Sequence, residues 1–381
     1  MRELTAAERW VSLGAVMIHM AGIGLTLGLT FPLTSLTMES WGAPAWVIGL
    51  AGAMAPLAIL VFMPVLPRVA GRLGAVRAMV LGCGVGMAGL LAMSVVQNIP
   101  AWIVARFVIG AGLALPWLAG DVWINSVAEE SSRGRVIAGY VACLFVGFSL
   151  GPLALDAVGI GGVAPFLLGC AALALAVVPL VPVGRYAPPI EAESGGHLLA
   201  AAKALPVVAV GAFFAGFSEA LIFSLLAVWG LEVGLDESGA LRLLTVCIVG
   251  GVTLQVVFGS AADRVGRQRL IGLVGLAMAA VGVALELSQG AALFAASFAT
   301  GGLVLALYGL SLTLLGERFP PAELAVASAA FLILYQLGSM VGPLVAGGAM
   351  DALGPAGFVF SLSIPGLLVA SVAFATLKKA A

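Results

Sequence analysis

Gly259-Ser260-Ala261-Ala262-Asp263-Arg264-Val265-Gly266-Arg267-Gln268-Arg269 sets a short charged break between two apolar runs, residues 240 to 261 and 268 to 288. Each run has about the 20 residues that a helix needs to cross a hydrocarbon core. In lipid the backbone must satisfy its own hydrogen bonds, so apolar runs of that length read as helices. The break between them, rich in Arg, then marks one face of a membrane.

Outward from this point the same alternation fills the chain. Spans are expected near residues 12 to 36, 45 to 66, 76 to 96, 101 to 124, 135 to 157, 163 to 182, 204 to 231, 240 to 261, 268 to 288, 291 to 315, 323 to 349 and 355 to 376. The composition agrees: 62% of residues are hydrophobic and 9% charged, with a mean hydropathy of +1.17, whereas a soluble domain carries roughly a quarter charged residues. The fold class is therefore an all-α membrane protein of twelve transmembrane helices. The first span is too long for a secretory h-region and lacks a small-residue cleavage site, so it is expected to be retained. A net charge of -1 and the lack of a basic tail exclude an electrostatic case for nucleic acid. Cys83, Cys143, Cys170 and Cys247 lie far apart inside spans without metal-ligand spacing, so no disulfide, metal or cofactor is expected.

The basic residues fix an orientation. With the N-terminus inside, Arg2, Arg9, Arg68, Arg72, Arg77, Arg133, Arg135, Arg185, Lys203, Arg264, Arg267, Arg269, Arg318, Lys378 and Lys379 all fall on the cytoplasmic side, leaving only Arg106 and Arg242. The positive-inside rule then puts both termini in the cytoplasm. The outer gaps carry Glu39, Asp156, Glu232, Asp236, Glu237 and Asp351, acids that contribute little to topology.

The longest polar gap divides the spans six and six. Gly147-Phe148-Ser149-Leu150-Gly151-Pro152 returns 191 residues later as Gly338-Ser339-Met340-Val341-Gly342-Pro343, and Arg72-Leu73-Gly74 returns 192 residues later as Arg264-Val265-Gly266. Two matches at nearly one offset argue for duplication. The expected organisation is a six-helix bundle over 1–183, a cytoplasmic linker over 184–203 and a second six-helix bundle over 204–381.

The break at Gly259 to Arg269 resembles the cytoplasmic signature of the major facilitator superfamily, Gly-x-x-x-Asp-Arg-x-Gly-Arg-x-Arg, and the resemblance extends over the whole chain. The first half carries a degraded copy, Pro67 to Arg77, in which Pro67 replaces the leading Gly and Gly71 the Asp. The resemblance implies two pseudo-symmetric six-helix bundles and a cytoplasmic gate formed by Arg72, Asp121, Asp263, Arg264 and Arg267, with Asp121 available to pair with Arg72. Alternatively, these charges only set topology. Arg106-Phe107-Val108-Ile109-Gly110-Ala111-Gly112 is similar to the fourth-span pattern Arg-x-x-x-Gly-x-Gly, whose Arg the family associates with proton coupling. Gly147, Gly151 and Pro152, with their repeats Gly338, Gly342 and Pro343, look like the core of the antiporter-associated motif, although Leu153-Ala154-Leu155 stand where its Gly pair would follow. Small residues let helices approach and Pro permits a bend, so both gating and plain packing fit. Asp121-Val122-Trp123-Ile124-Asn125 with Arg133-Gly134-Arg135-Val136 resembles the YcaD-like bacterial branch.

An ionisable group at the bilayer centre costs about 2.5 kcal/mol or more, so it needs a partner, water or a role. Glu219 in the seventh span, His19 in the first and Arg106 in the fourth are the candidates for proton and substrate coupling. Family geometry implies that His19 and Glu219 reach one central cavity from opposite halves. Each also has a bland reading: a neutral Glu bonded to a neighbouring helix, or an imidazole buried with one hydrogen bond. Arg106 cannot shed its proton and needs an anion, carbonyls or water. Trp117, Phe217, Gln255, Tyr308, Tyr335 and Gln336 are the expected cavity lining, aromatic with few amides, which suits an amphipathic solute rather than a sugar.

The sequence is thus expected to encode a non-enzymatic secondary transporter of a small organic molecule, monomeric, exchanging solute against protons by alternating access. Uptake or passive facilitation, lipid or lysolipid flipping and a transporter-like sensor are the alternatives. The spans contain no Ser-His-Asp or Cys-His arrangement, and His197 stands alone in the linker.

Overall fold

A computed structural model describes residues 4–190 and 205–380. Arg2 and most of the expected linker, with His197 and Lys203, lie outside the described residues. Twelve helices among the described residues are long and apolar enough to cross a membrane. They are α1 (Ala6–Ser40), α2 (Ala45–Phe62), α4 (Ala75–Val95), α5 (Ile99–Val127), α6 (Arg133–Val158), α7 (Ala164–Val177, continued by a turn at Leu180–Val183), α8 (Pro206–Glu232), α9 (Glu237–Val265), α10 (Arg267–Leu287), α11 (Ala291–Arg318), α12 (Pro321–Leu353) and α13 (Pro355–Ala380), with the short α3 (Leu66–Leu73) between α2 and α4.

The second span ends earlier than expected, at Phe62 rather than residue 66, and the degraded signature occupies α3. Pro64 and Pro67 remove two backbone donors within four residues, so the α2 ladder cannot continue. The intact signature has no Pro, and α9 runs unbroken to Val265.

Contacts divide the chain into two compact units, Met1–Thr37 with Leu57–Glu193, and Met38–Pro56 with Ser194–Ala381. The repeat is visible in the backbone of each. Gly74 ends α3 and Gly266 ends α9 at φ +79° and +87°, in a region open essentially to Gly. Gly42 and Gly234, and Gly162 and Gly354, are further positive-φ pairs at the same spacing of 192 residues. Helix contacts repeat as well. In the first unit the Cα of Gly24 on α1 rests on the carbonyl of Leu144 on α6, and in the second Gly216 on α8 rests on the carbonyl of Tyr335 on α12.

One cap had no signal in its own segment. Asp236 caps α9 from within, accepting from the Gly239 N–H at 2.9 Å. The residue 192 places earlier, at the start of α2, is Pro44, which has no side-chain acceptor. Asp351, at the far end of α12, supplies it: its carboxylate accepts from the Ala45 and Trp46 N–H groups at 2.8 and 2.9 Å. Gly49 and Gly347 let the first turns of α2 lie directly on α12. Asp351→Ala should therefore lower stability by about 1 kcal/mol, the usual worth of a helix cap, with Asp351→Asn intermediate, as read from thermal melts in detergent.

Candidate functional site

In the second unit, Glu219 projects from α8 with the Tyr335 hydroxyl of α12 as its polar neighbour. The local sequence explains the reach. Gly216, one turn before Glu219, lets α8 touch the Tyr335 backbone, where any Cβ would meet the carbonyl. Gly338 and Gly342 continue the seam against the carbonyls of Phe213 and Phe217. Tyr335 meets Tyr308 of α11 edge to face, with ring centroids 5.2 Å apart at 70°, and Tyr308 meets Phe331 in the same way at 5.4 Å and 72°. Gln255 of α9 lies beside Gly309, next to Tyr308. Glu219, Tyr308, Tyr335 and Gln255 are each partly exposed. Among the described residues no Lys or Arg forms an ion pair with Glu219. The corresponding residues of the first unit are Leu27 and Leu144, so the duplication did not keep this pair in both halves.

Other expected lining residues are placed differently. Phe217 is 5% exposed and packed against Phe213 and Phe214, and Gln336 is also buried. Trp117 is 41% exposed in the first unit and lies near Asp121.

His19 is fully buried, with Nδ1 3.0 Å from the Ala176 carbonyl of the first unit. Its second nitrogen has no partner and no opening to solvent. The imidazole is therefore packed between α1 and α7. Gly22, three residues on, makes the close approach of α1 to Ala172 and Ala176 that encloses it.

Arg106 is 1% exposed, and its three guanidinium nitrogens lack hydrogen-bond partners. Its Cζ lies 4.3 Å from the centroid of the Phe31 ring, which in turn stacks on Phe148 at 6.2 Å and 27°. A desolvated cation–π contact is worth about 2 kcal/mol, against several kcal/mol for burying an ion. Arg106 is thus a buried charge that its neighbours among the described residues compensate only in part. Gly147 and Gly151, which flank Phe148, close on the backbone of α1 near Ala21 and Gly28.

At the predicted cytoplasmic ends the two units diverge. In the second, Arg267 pairs with Asp263 at 3.2 Å and with Glu317, while Arg264 is exposed. The residues 192 places earlier are Ala75, Gly71 and Asn125, so the whole triad is neutral in the first unit. Arg72 is exposed on α3 and does not pair with Asp121, which accepts instead from the Tyr140 hydroxyl at 2.9 Å. Gly120 leaves room for that hydroxyl, since a Cβ there would lie 2.7 Å from it. A side chain at the place of the missing Asp would be crowded: a Cβ at Gly71 would lie 2.8 Å from the carbonyl oxygen of Ile190, which packs over α3. Gly71→Asp should accordingly cost about 1–3 kcal/mol by overpacking, measured as a lower melting temperature, although it restores the signature.

The sequence profile of the Major Facilitator Superfamily matches residues 14–206 and 208–380. The chain belongs to this superfamily. Among its MFS relatives, the transporter YfkF of Bacillus subtilis strain 168 is 22% identical over 352 residues, covering 90% of this chain and 89% of the other. The MFS-type transporter YcaD of Escherichia coli O7:K1 is 25% identical over 369 residues, covering 94% and 93%. The crystal structure of the nucleoside transporter NupG shares the MFS fold with a TM-score of 0.72 at 15% identity, covering 97% of this chain and 98% of that one. The protein is a multi-pass MFS transporter.

Proposed function

We propose that the protein is a proton-coupled secondary transporter exporting a small amphipathic organic solute across a bacterial inner membrane, with both termini in the cytoplasm. The observation that carries this reading is the Glu219–Tyr335 pair: a partly exposed, membrane-embedded carboxyl beside a hydroxyl, with no ion-pairing cation among the described residues. Such a group changes its charge by binding a proton, and an intramembrane acid on a transporter's inner surface is functional by default. Alternating access of the two halves then carries the bound species from one side to the other. Arg106 supplies a fixed positive charge in the first unit, because a guanidinium keeps its proton where a Lys would lose it. Asp263, Arg264, Arg267 and Glu317 form the cytoplasmic gate, with Arg72 and Asp121 acting separately in the first unit. His19 takes no part in coupling.

Counterflow in proteoliposomes tests the coupling. A solute selected by thermal shift, which reports ligands that bind the folded state, is followed with and without an imposed pH gradient. Accumulation above equilibrium only with the gradient is the expected result. Equal movement under both conditions would assign passive facilitation instead.

A further inference from the structure

We infer that the transported solute is a hydrophobic organic cation, an amine protonated at neutral pH or a quaternary ammonium, bound with its charge at Glu219 beside Tyr335 and Tyr308 and its apolar part toward the cleft walled by Phe331. The inference rests on the reading of Glu219 as the exchange site and adds the chemistry of its cargo. Two adjoining features of the second unit converge on it. The first is the carboxyl with a chain of rings, Tyr335, Tyr308 and Phe331, in successive edge contacts at 5.2 and 5.4 Å. Aromatic faces attract cations through their quadrupole, and a carboxylate among them favours positive charge over negative. The second is an apolar cleft between α8, α11 and α12, lined by side chains such as Val208, Leu315, Phe319, Ala330 and Leu334, with Phe331 in its wall. None of its lining side chains carries a polar atom.

Phe331 belongs to both features, and Tyr335 lies one helical turn beyond it on α12. A single ligand with a cationic head and an apolar body satisfies both. An anion meets an acid without a compensating base, and a sugar or nucleoside meets an apolar wall with few hydrogen-bonding groups. The carboxylate holds either one proton or one cation. Entry of a proton from water therefore releases the cation, and binding of the cation returns the proton to water.

Isothermal titration of the purified full chain in detergent with tetraphenylphosphonium, and separately with the equally shaped anion tetraphenylborate, tests the assignment. Tetraphenylphosphonium is expected to bind, more weakly at pH 6 than at pH 8, and tetraphenylborate to bind at least tenfold more weakly. Glu219→Gln should abolish both cation binding and its pH dependence. Tyr308→Ala should weaken binding about tenfold, the order expected for one cation–π contact, while Tyr308→Phe, which keeps the ring, should restore most of it. Monodisperse elution of each variant separates loss of binding from loss of fold. Equal binding of the two ions, or wild-type binding by folded Glu219→Gln, overturns the cation assignment. Proton coupling itself then stands or falls on the counterflow result. Binding of the cation without any gradient-driven transport would leave the site and remove the coupling.

Discussion

Glu219→Gln is expected to reduce gradient-driven transport to the level of empty vesicles while the protein still folds and elutes as a single species. Gln has the shape of Glu and can still hydrogen-bond Tyr335, so the seam between α8 and α12 survives. What disappears is the ability to alternate between charged and neutral forms at a position where charge has no ion-pair partner among the described residues. Tyr335→Phe is a milder change: the carboxyl remains but loses its hydroxyl partner. A hydrogen bond to a charged group is worth about 1.5–3 kcal/mol, so exchange should slow roughly tenfold or more without being abolished. Undiminished uphill transport by Glu219→Gln would move the proton site elsewhere, and Asp121, held by Tyr140 in the first unit, would be the next acid to replace.

The helices were legible because lipid leaves the backbone no alternative: a long apolar run is a span, and a basic break is an end. The duplication was legible for a related reason. Gly74 and Gly266 occupy a backbone region that other residues avoid, so their positions were kept when the surrounding side chains diverged. The second span was overextended because Pro64 and Pro67 lie in a stretch whose hydropathy alone continues the run. Partner choice was much less legible. It depends on how each helix is rotated about its axis, and spans that are apolar on every side carry almost no record of that rotation. His19 thus reads equally well as a cavity residue or a packed one, and nothing in the apolar run around it foretells its contact with Ala176. Asp351 was missed because its two acceptors serve a helix some 300 residues away in sequence, though Pro44 standing where Asp236 stands in the repeat left a trace of the missing cap. Glu219 stands out in the sequence because an acid in an apolar span is conspicuous by itself.

Gly338→Val should be among the most damaging single substitutions in the second unit, and Gly147→Val should match it in the first. At Gly338 any Cβ meets the carbonyl of Phe213, and at Gly147 that of Ala21. Both obstacles are helix backbone, which cannot swing aside as a flexible side chain does, so the cost belongs at the upper end of overpacking, about 3 kcal/mol. For units of this size that corresponds to a fall in melting temperature on the order of 10 °C. Gly348 provides the control on the same helix: nothing lies within 4 Å of its would-be Cβ, so Gly348→Ala should be neutral or, through better helix propensity, stabilising by up to about 1 kcal/mol. The functional consequence follows from position. Tyr335 sits one turn from Gly338 on α12, and Glu219 lies on α8, the helix that would be pushed away. Protein that survives Gly338→Ala, a smaller intrusion, should therefore retain twelve folded helices yet lose proton-driven transport to nearly the same extent as Glu219→Gln, because the carboxyl and hydroxyl are drawn apart. A Gly338→Ala variant that melts like wild type and transports uphill at full rate would show that the α8–α12 seam does not hold the pair together.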